Sequence, residues 1–205
     1  MSKLGWFLGG ALSLLAVQAL AAAILLTQAR GLSAREEPTG IERWIARRAR
    51  DAALPSGVNS RANPIPQAPE VLAEARAHWA DHCASCHAND GSGETTMGKH
   101  MYPPAPDMRK PGTQSLSDGE LFYIVQNGIR LTGMPGWGGG SAHDEEDSWK
   151  LVHFIRHLPG LTAEERKQME KLNPKSPDEW KEELEEEKFL KGEGTNEPPQ
   201  QHHHH

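Results

Sequence analysis

Both cysteines of this 205-residue chain lie within one five-residue stretch, Cys83-Ala84-Ser85-Cys86-His87. Two cysteines separated by two residues and followed by histidine form the attachment signature of c-type haem. The two thiols can reach the two vinyl groups of one porphyrin, and His87 then lies under the ring as the proximal iron ligand. Because the motif occurs once, the sequence predicts one covalent haem.

A Cys-x-x-Cys pair has two other common uses. A structural zinc site needs two further cysteine or histidine ligands, but the chain has no second cysteine pair and its other histidines are scattered. A thioredoxin-like redox pair requires a βαβ context, and no strand-like alternation flanks the motif. Haem attachment is the favoured interpretation, with zinc and redox thiols as the alternatives.

A c-type haem usually has methionine or histidine as its second axial ligand. Met134 lies in the segment Gly133-Met134-Pro135-Gly136, where glycine permits unusual turns and proline favours an extended residue before it. Such a loop can present a side chain to a flat cofactor, so we predict Met134 as the distal ligand. The alternative is a methionine that fills a gap in the core. The other candidate ligands are Met97, His100, Met101, Met108, His143, His153 and His157.

The N-terminus carries 23 residues without a charge, from Leu4 to Leu26. As a helix they would extend about 34 Å, enough to cross a hydrocarbon core of about 30 Å. The alternative is a cleaved signal peptide, for which Ala19-Leu20-Ala21 would be the cleavage site. The apolar run continues beyond that site and exceeds a typical signal core, so residues 1–30 are predicted to be a membrane anchor.

Residues 31–66 are predicted to be a linker on the periplasmic side. Residues 41–48 combine apolar and basic side chains, which suits either a helix lying on anionic headgroups or an ordinary solvated helix. The stretch from Leu54 to Pro66 is rich in proline, serine and asparagine and is typical of a semi-rigid spacer. Six arginines between positions 30 and 50 oppose a periplasmic location under the positive-inside rule.

The sequence before and after the cysteine motif has patterns that predict helices. Apolar residues recur at helical spacing from Pro69 to Cys83. Ser117 and Glu120 form a capping box for a helix over 118–127, which Gly128 should end. Four acidic residues at 144–147 favour the N-terminus of another helix, which carries an apolar stripe to Leu158.

Residues 67–160 resemble a class I cytochrome c domain. The resemblance rests on an aromatic residue four positions before the first cysteine, the Cys-x-x-Cys-His motif, a glycine-rich turn, a proline-rich stretch, a Gly-Met-Pro loop and a last helix of the type Trp-x-x-Val-x-x-Ile-Arg. It implies an all-α cytochrome c fold around one covalent haem, with the first and last helices crossing. The site residues that it implies are Cys83 and Cys86 as thioether links, His87 as proximal ligand and Met134 as distal ligand.

Charge and ligation together indicate the function. The formal net charge is +4 over residues 1–66 and −5 over both 67–160 and 161–205, which makes the chain a poor nucleic-acid binder. With both axial positions filled by protein, the iron has no open site for a substrate. We therefore expect an electron carrier and not an enzyme, without a small-molecule substrate, exchanging electrons with membrane-bound redox enzymes or other carriers. The resemblance implies a haem domain in the periplasm of a bacterium, held at the inner membrane.

The C-terminal part lies outside the resemblance. Residues 161–191 are predicted to be a helical acidic extension, with capping boxes at Thr162 and Ser176, and residues 192–205 a disordered tail. The tail ends in His202–His205, either the remnant of a tag or a tract that gathers metal ions. The second reading gives an alternative function, a module binding an ion such as copper with the haem domain as its redox partner. A third hypothesis is a non-catalytic subunit of a larger membrane oxidoreductase.

Overall fold

The computed structural model describes residues 2–28, 33–175 and 177–191, and all regular structure within these ranges is helical. The prediction of an all-α fold is confirmed. In chain order the described helices are α1 (Lys3–Gln28), α2 (Gly40–Ala53), α3 (Pro69–His78), α4 (Ala84–His87), α5 (Thr96–Lys99), α6 (Pro111–Gln114), α7 (Asp118–Asn127), α8 (Ala142–His157), α9 (Ala163–Glu170) and α10 (Pro177–Leu190).

Helix α1 is apolar and exposed to its surroundings along its length. Residues Lys3–Ile24 are long and apolar enough to cross a membrane, and none of this stretch is buried inside the protein. A signal sequence at the same position would share these properties. The helix therefore agrees with the predicted anchor in length and composition, and both interpretations of residues 1–30 stay open.

The core forms where the first and last helices of the central domain meet. Pro69 starts α3 at the position where a proline is tolerated, and α3 packs against α8. Trp79, directly after α3, is 2 % exposed, and its ring centroid lies 5.4 Å from that of the fully buried Phe154 of α8. The large apolar side chains of these two segments thus face each other across the crossing and hold it together.

Helix α7 shows how local signals set a helix boundary. The Ser117 hydroxyl accepts a hydrogen bond from the Glu120 amide at 3.2 Å, and the Glu120 carboxylate accepts one from the Ser117 amide at 2.7 Å. At the other end Gly128 has φ +66°, a conformation that favours glycine, and terminates the helix after Asn127. Phe122 of α7 stacks on Trp149 of α8, with ring centroids 4.0 Å apart. The predicted span of 118–127 is confirmed.

Residues 57–66 pack on the domain, in contrast to the spacer predicted for the second half of the linker. Val58 is 6 % exposed and contacts α7, and the Arg61 guanidinium lies 4.8 Å from the Phe122 ring centroid. The Asn63 amide donates to the Trp149 carbonyl at 2.9 Å. Residues 58–60 form one 3-10 turn with hydrogen bonds inside the segment, and Asn63 and Ile65 attach the rest of it to α8.

Helix α9, in the first part of the acidic extension, completes the core. Met169 is fully buried and belongs to the same apolar cluster as Trp79. The Glu165 carboxylate reaches the Arg76 guanidinium of α3 at 3.3 Å and the His157 ring of α8 at 3.0 Å. The core therefore continues beyond residue 160, where the sequence placed the end of the domain.

We expect Met169→Ala to lower the free energy of unfolding by about 2–5 kcal/mol, because it removes a fully buried side chain and leaves a cavity. Chemical denaturation of the haem-loaded protein measures this. Gln168→Ala is the matched control, since Gln168 is exposed on the same helix and should change the value by less than about 0.5 kcal/mol. Equal effects of both substitutions would contradict the packing of α9.

The end of the chain is only partly described. Helix α10 is acidic and exposes Trp180, Leu184 and Leu190. Ser176, the predicted cap of this helix, and the predicted disordered tail over 192–205 lie outside the described residues. The histidine tract at 202–205 falls there too, so the metal-gathering interpretation stays a prediction.

Candidate functional site

The cysteine motif lies on one continuous helical segment that runs from α3 into α4. Between the two helices, residues 79–83 widen into a π-helical turn, in which the Ala84 amide bonds the Trp79 carbonyl five residues back. Cys83 and Cys86 are both free thiols and both half-buried, and Cys86 and His87 belong to α4. Burial raises the pKa of the Cys83 thiol to about 12. That thiol therefore stays protonated at neutral pH.

His87 combines burial with an unused nitrogen. Its Nδ1 atom is buried and has no hydrogen-bond partner within the described part of the chain. Burial lowers the pKa of the imidazole, so the ring is neutral at pH 7 and has a free lone pair. An unpartnered buried nitrogen costs about 1–3 kcal/mol, and such groups are typical of functional sites. The ring is therefore suited to bind a metal.

The residue after His87 has a strained backbone. Ala88 has φ +60° and ψ 162°, a region that is populated almost only by glycine. The Trp79 indole N–H donates to the Ala88 carbonyl at 3.0 Å, and the Trp79 ring lies 5.7 Å from the His87 ring, centroid to centroid. Trp79 thus fixes both the turn and the histidine before it, a role that the sequence pattern did not indicate.

We expect Ala88→Gly to stabilise the protein by about 1 kcal/mol, because glycine removes the backbone strain at φ +60°. Thermal unfolding of the haem-loaded protein measures the change. Ala84→Gly serves as the control, since Ala84 is helical with φ −63°, and it should destabilise the protein by about 1 kcal/mol. A loss of stability in Ala88→Gly as large as that in Ala84→Gly would show that Ala88 is not strained.

The backbone of Cys86 is tightly enclosed. Thr95 donates its hydroxyl to the Cys86 carbonyl at 3.2 Å. Gly98 of α5 lies so close that a Cβ there would overlap the same carbonyl oxygen. The Cys86 thiol contacts the Met97 sulfur at 3.3 Å, and the Gly93 amide donates to the His87 carbonyl at 2.9 Å. Residues 93–98 therefore hold the motif in place from one side.

Met134, the predicted distal ligand, is half-buried in a loop with a defined backbone. The Met134 carbonyl accepts from the Ile129 amide at 3.1 Å, and its amide donates to the Thr132 hydroxyl at 3.1 Å. The Trp137 amide donates to the Val125 carbonyl of α7 at 3.0 Å. These bonds fix the loop to the end of α7.

Two contacts connect the Met134 loop with the rest of the site: one reaches the helical segment of the cysteine motif, and the other reaches Met101. The Trp137 ring meets the His82 ring edge-on, with centroids 5.7 Å apart, and His82 directly precedes Cys83. Met101 packs its sulfur against Gly133, next to Met134. The fold thus brings together the three parts of the chain that contain the predicted ligands, namely the motif, the segment with Met97 and Met101, and the loop.

Several alternative ligands are engaged elsewhere. The His153 ring hydrogen-bonds the Ile65 carbonyl at 2.7 Å, and His157 pairs with Glu165 at 3.0 Å. The side chain of His143 is 77 % exposed and lies 3.4 Å from Asp147. Met108 is half-buried against the apolar core. These four residues have structural surroundings of their own, which leaves the methionines near the motif as the stronger candidates.

The C-terminal part also contacts the motif segment. With its amide oriented to suit its neighbours, Asn173 donates to the Ala80 carbonyl at 3.1 Å and exchanges two hydrogen bonds with Asn89 at 2.9 and 3.0 Å. Ala80 lies in the π-helical turn, where helical hydrogen bonding is disturbed. Asn173 thus joins the residues before and after the Cys-x-x-Cys-His motif, a contact that no sequence pattern predicted.

The geometry is suited to a covalently held haem: two free thiols and a neutral buried imidazole share one helical segment, and a methionine-bearing loop lies beside it. A family model described as "Cytochrome C oxidase, cbb3-type, subunit III" matches residues 70–155. No curated protein matches the chain. The matched stretch begins in α3, includes the motif and the Met134 loop, and ends in α8.

Proposed function

Since residues 70–155 are a class I c-type cytochrome domain, we propose that the whole chain is a membrane-anchored, monohaem carrier of single electrons. Such a domain implies covalently bound haem c. The observation that carries the proposal is the helical segment on which Cys83, Cys86 and His87 lie together, with the buried Nδ1 of His87 lacking a hydrogen-bond partner among the described residues.

We assign four residues to the haem. Cys83 and Cys86 would supply the thioether links, and His87 and Met134 would bind the iron as proximal and distal ligands. When bound, haem c supplies an iron that holds or releases one electron. A thioether ligand favours the ferrous state and raises the reduction potential, which suits a carrier late in a chain of electron transfers.

The residues around the cysteine motif are better suited to electron transfer than to catalysis. Trp79, Phe154 and Leu158 are apolar side chains at most 2 % exposed, and the Trp79 ring lies next to the rings of His87 and Phe154, at centroid distances of 5.7 and 5.4 Å. A haem iron with two protein ligands has no position left for oxygen or peroxide. We therefore infer that the chain is not itself an enzyme and acts as a carrier or as a non-catalytic subunit of an oxidoreductase.

We propose that α1 stays attached as the anchor and that the haem domain lies in the periplasm of a bacterium. Support for the anchor comes from the length and hydropathy of Lys3–Ile24. The arginines that follow α1 oppose this orientation, but the positive-inside rule is statistical and a folded domain can override it.

The partner is inferred from the family and from charge. The matching family is described as subunit III of a cbb3-type oxidase, and we propose a membrane oxidase or one of its electron donors as partner. The formal net charge of −5 over residues 67–160 should steer a basic surface toward the domain, more weakly as salt rises.

The test is purification of the chain from native membranes in mild detergent, followed by mixing the reduced protein with the co-purifying membrane complex. We expect fast reoxidation that slows as ionic strength rises. The same protein without the membrane complex is the control and should stay reduced in air. Rapid reaction of the isolated protein with oxygen or peroxide would contradict a carrier and indicate an enzyme.

A further inference from the structure

Helix α2 exposes an apolar face that no described part of the chain covers. Its exposed apolar side chains are Ile41, Trp44 and Ile45, with exposures of 55 %, 61 % and 51 %. Spacings of three and four residues place all three on one face of the helix. The helix is well formed, since Thr39 and Glu42 make a capping box at its N-terminus. The exposed face therefore belongs to a stable element.

Outside the apolar face, α2 carries more arginines than acidic residues; the acidic residues are Glu42 and Asp51, and Asp51 pairs with Arg50 at 2.8 Å. Arg43, Arg47 and Arg50 lie on the side opposite the apolar face. Arg48 follows Trp44 by four residues and Ile45 by three, so it lies on the apolar face itself, with its guanidinium 5.9 Å from the Trp44 ring centroid. Its long side chain can extend from this face so that the charged group reaches the headgroups. A helix with aromatic and aliphatic side chains on one face and arginines on the other is typical of an element that lies in a membrane interface.

The helix is also joined to the cytochrome domain. The Glu42 carboxylate accepts a hydrogen bond from the Tyr102 hydroxyl at 3.0 Å, and Pro38, just before the helix, is buried. Tyr102 belongs to the proline-rich segment that follows Met101, next to the Met134 loop. Whatever α2 binds will therefore also orient this side of the domain.

We propose that α2 lies on a surface of anionic lipid, with Ile41, Trp44 and Ile45 inserted among the headgroups. This inference rests on the proposed membrane anchor, because only 11 residues separate α1 from α2. The arginines are complementary in charge to anionic headgroups, which attract basic residues close to the membrane surface. Through Glu42 and Tyr102, the bound helix holds the domain at a fixed orientation instead of on a free tether.

A second copy of the chain is a weaker match for this face. Three side chains of this size bury roughly 500 Å² on one chain, or about 1,000 Å² for two identical faces together, whereas stable protein interfaces bury a total of about 1,200–2,000 Å². A lipid surface needs no such complementary area. It also explains why the arginines follow the anchor on the side where the positive-inside rule disfavours them, since there they contact headgroups.

The test uses the haem-loaded full chain in lipid nanodiscs with one copy per disc. Ile45→Cys reports on the apolar face, and Ala46→Cys, one residue further and exposed on another face, is the matched control. In discs containing phosphatidylglycerol, a charged maleimide should label Ile45→Cys about tenfold more slowly than Ala46→Cys. In discs of phosphatidylcholine alone, or in high salt, the difference should shrink. The unsubstituted chain gives the background labelling.

Equal labelling of the two positions in all discs would overturn the proposal. Slow labelling of Ile45→Cys that appears only with two copies per disc would indicate a second chain and also overturn it. Resistance of α1 to alkaline extraction is measured on the same samples. Loss of the chain from the membrane would contradict the anchor, whereas a retained chain with equal labelling contradicts only the role of α2.

Discussion

Replacing Cys83 and Cys86 together with alanine should abolish covalent haem attachment, because the chain has no other cysteines. A denaturing gel stained for haem peroxidase activity measures this: the unsubstituted protein should give a stained band at the mass of the chain, and the double variant none. An immunoblot of the same gel shows that the chain itself is present.

Ser85→Ala is the matched control for this experiment. Ser85 lies between the two cysteines and is exposed, so its substitution should leave the stain unchanged. A stained band that survives the loss of both thiols would contradict thioether attachment. Zinc binding and redox chemistry would then be the remaining interpretations of Cys83 and Cys86.

The helices whose ends carry local signals could be predicted from the sequence. The capping box of Ser117 and Glu120 and the glycine at 128 act over a few residues, so α7 begins and ends where they indicate. The capping box of Thr162 and Glu165 likewise starts α9. Such signals work because the first-turn amides must find partners nearby, whatever the tertiary structure.

The tertiary role of the segments around the domain could not be predicted in this way. Residues 57–66 have the composition of a spacer, yet Asn63 and Ile65 pair with α8. Met169 lies in a charged helix of low apolar content, yet it is fully buried. Both depend on single side chains that meet partners far along the chain, and a single residue leaves no periodic pattern.

The candidate site also has one part that the sequence predicts and another part that only the structure shows. The motif predicted that Cys83, Cys86 and His87 would lie close together, because sequence spacing alone brings them onto one helical segment. The strain at Ala88, the indole hydrogen bond of Trp79 and the hydrogen bonds of Asn173 became visible only in three dimensions. Their common effect is to fix the backbone that carries the ligands.

Met134→Ala should lower the reduction potential, by an amount on the order of 0.1 V within the roughly 0.8 V that axial ligands span. The variant lacks the methionine sulfur, which as an iron ligand favours the ferrous state. The ferric protein should lose a weak absorption at the red end of the spectrum, and the reduced variant should bind carbon monoxide. Haem staining should persist, since the thioether links are independent of the distal ligand. Redox titration and absorption spectra measure these changes.

Met101→Ala and Met97→Ala are the matched controls, because both methionines lie near the site. Met101 packs against Gly133 beside the loop, and Met97 contacts the Cys86 thiol. If Met134 is the ligand, either control should keep the red absorption and most of the potential, and the reduced protein should not bind carbon monoxide. A red band lost in one of the controls and kept in Met134→Ala would assign the ligand to the earlier segment.

A band and potential that survive all three substitutions would point to a histidine. His153 and His157 already hydrogen-bond to protein groups, which leaves His100 and the exposed His143 as candidates. Bis-histidine ligation lowers the potential relative to methionine and histidine. A haem of lower potential accepts electrons only from donors of lower potential still, so this substitution series tests the distal ligand and, with it, the donors that can reduce the protein.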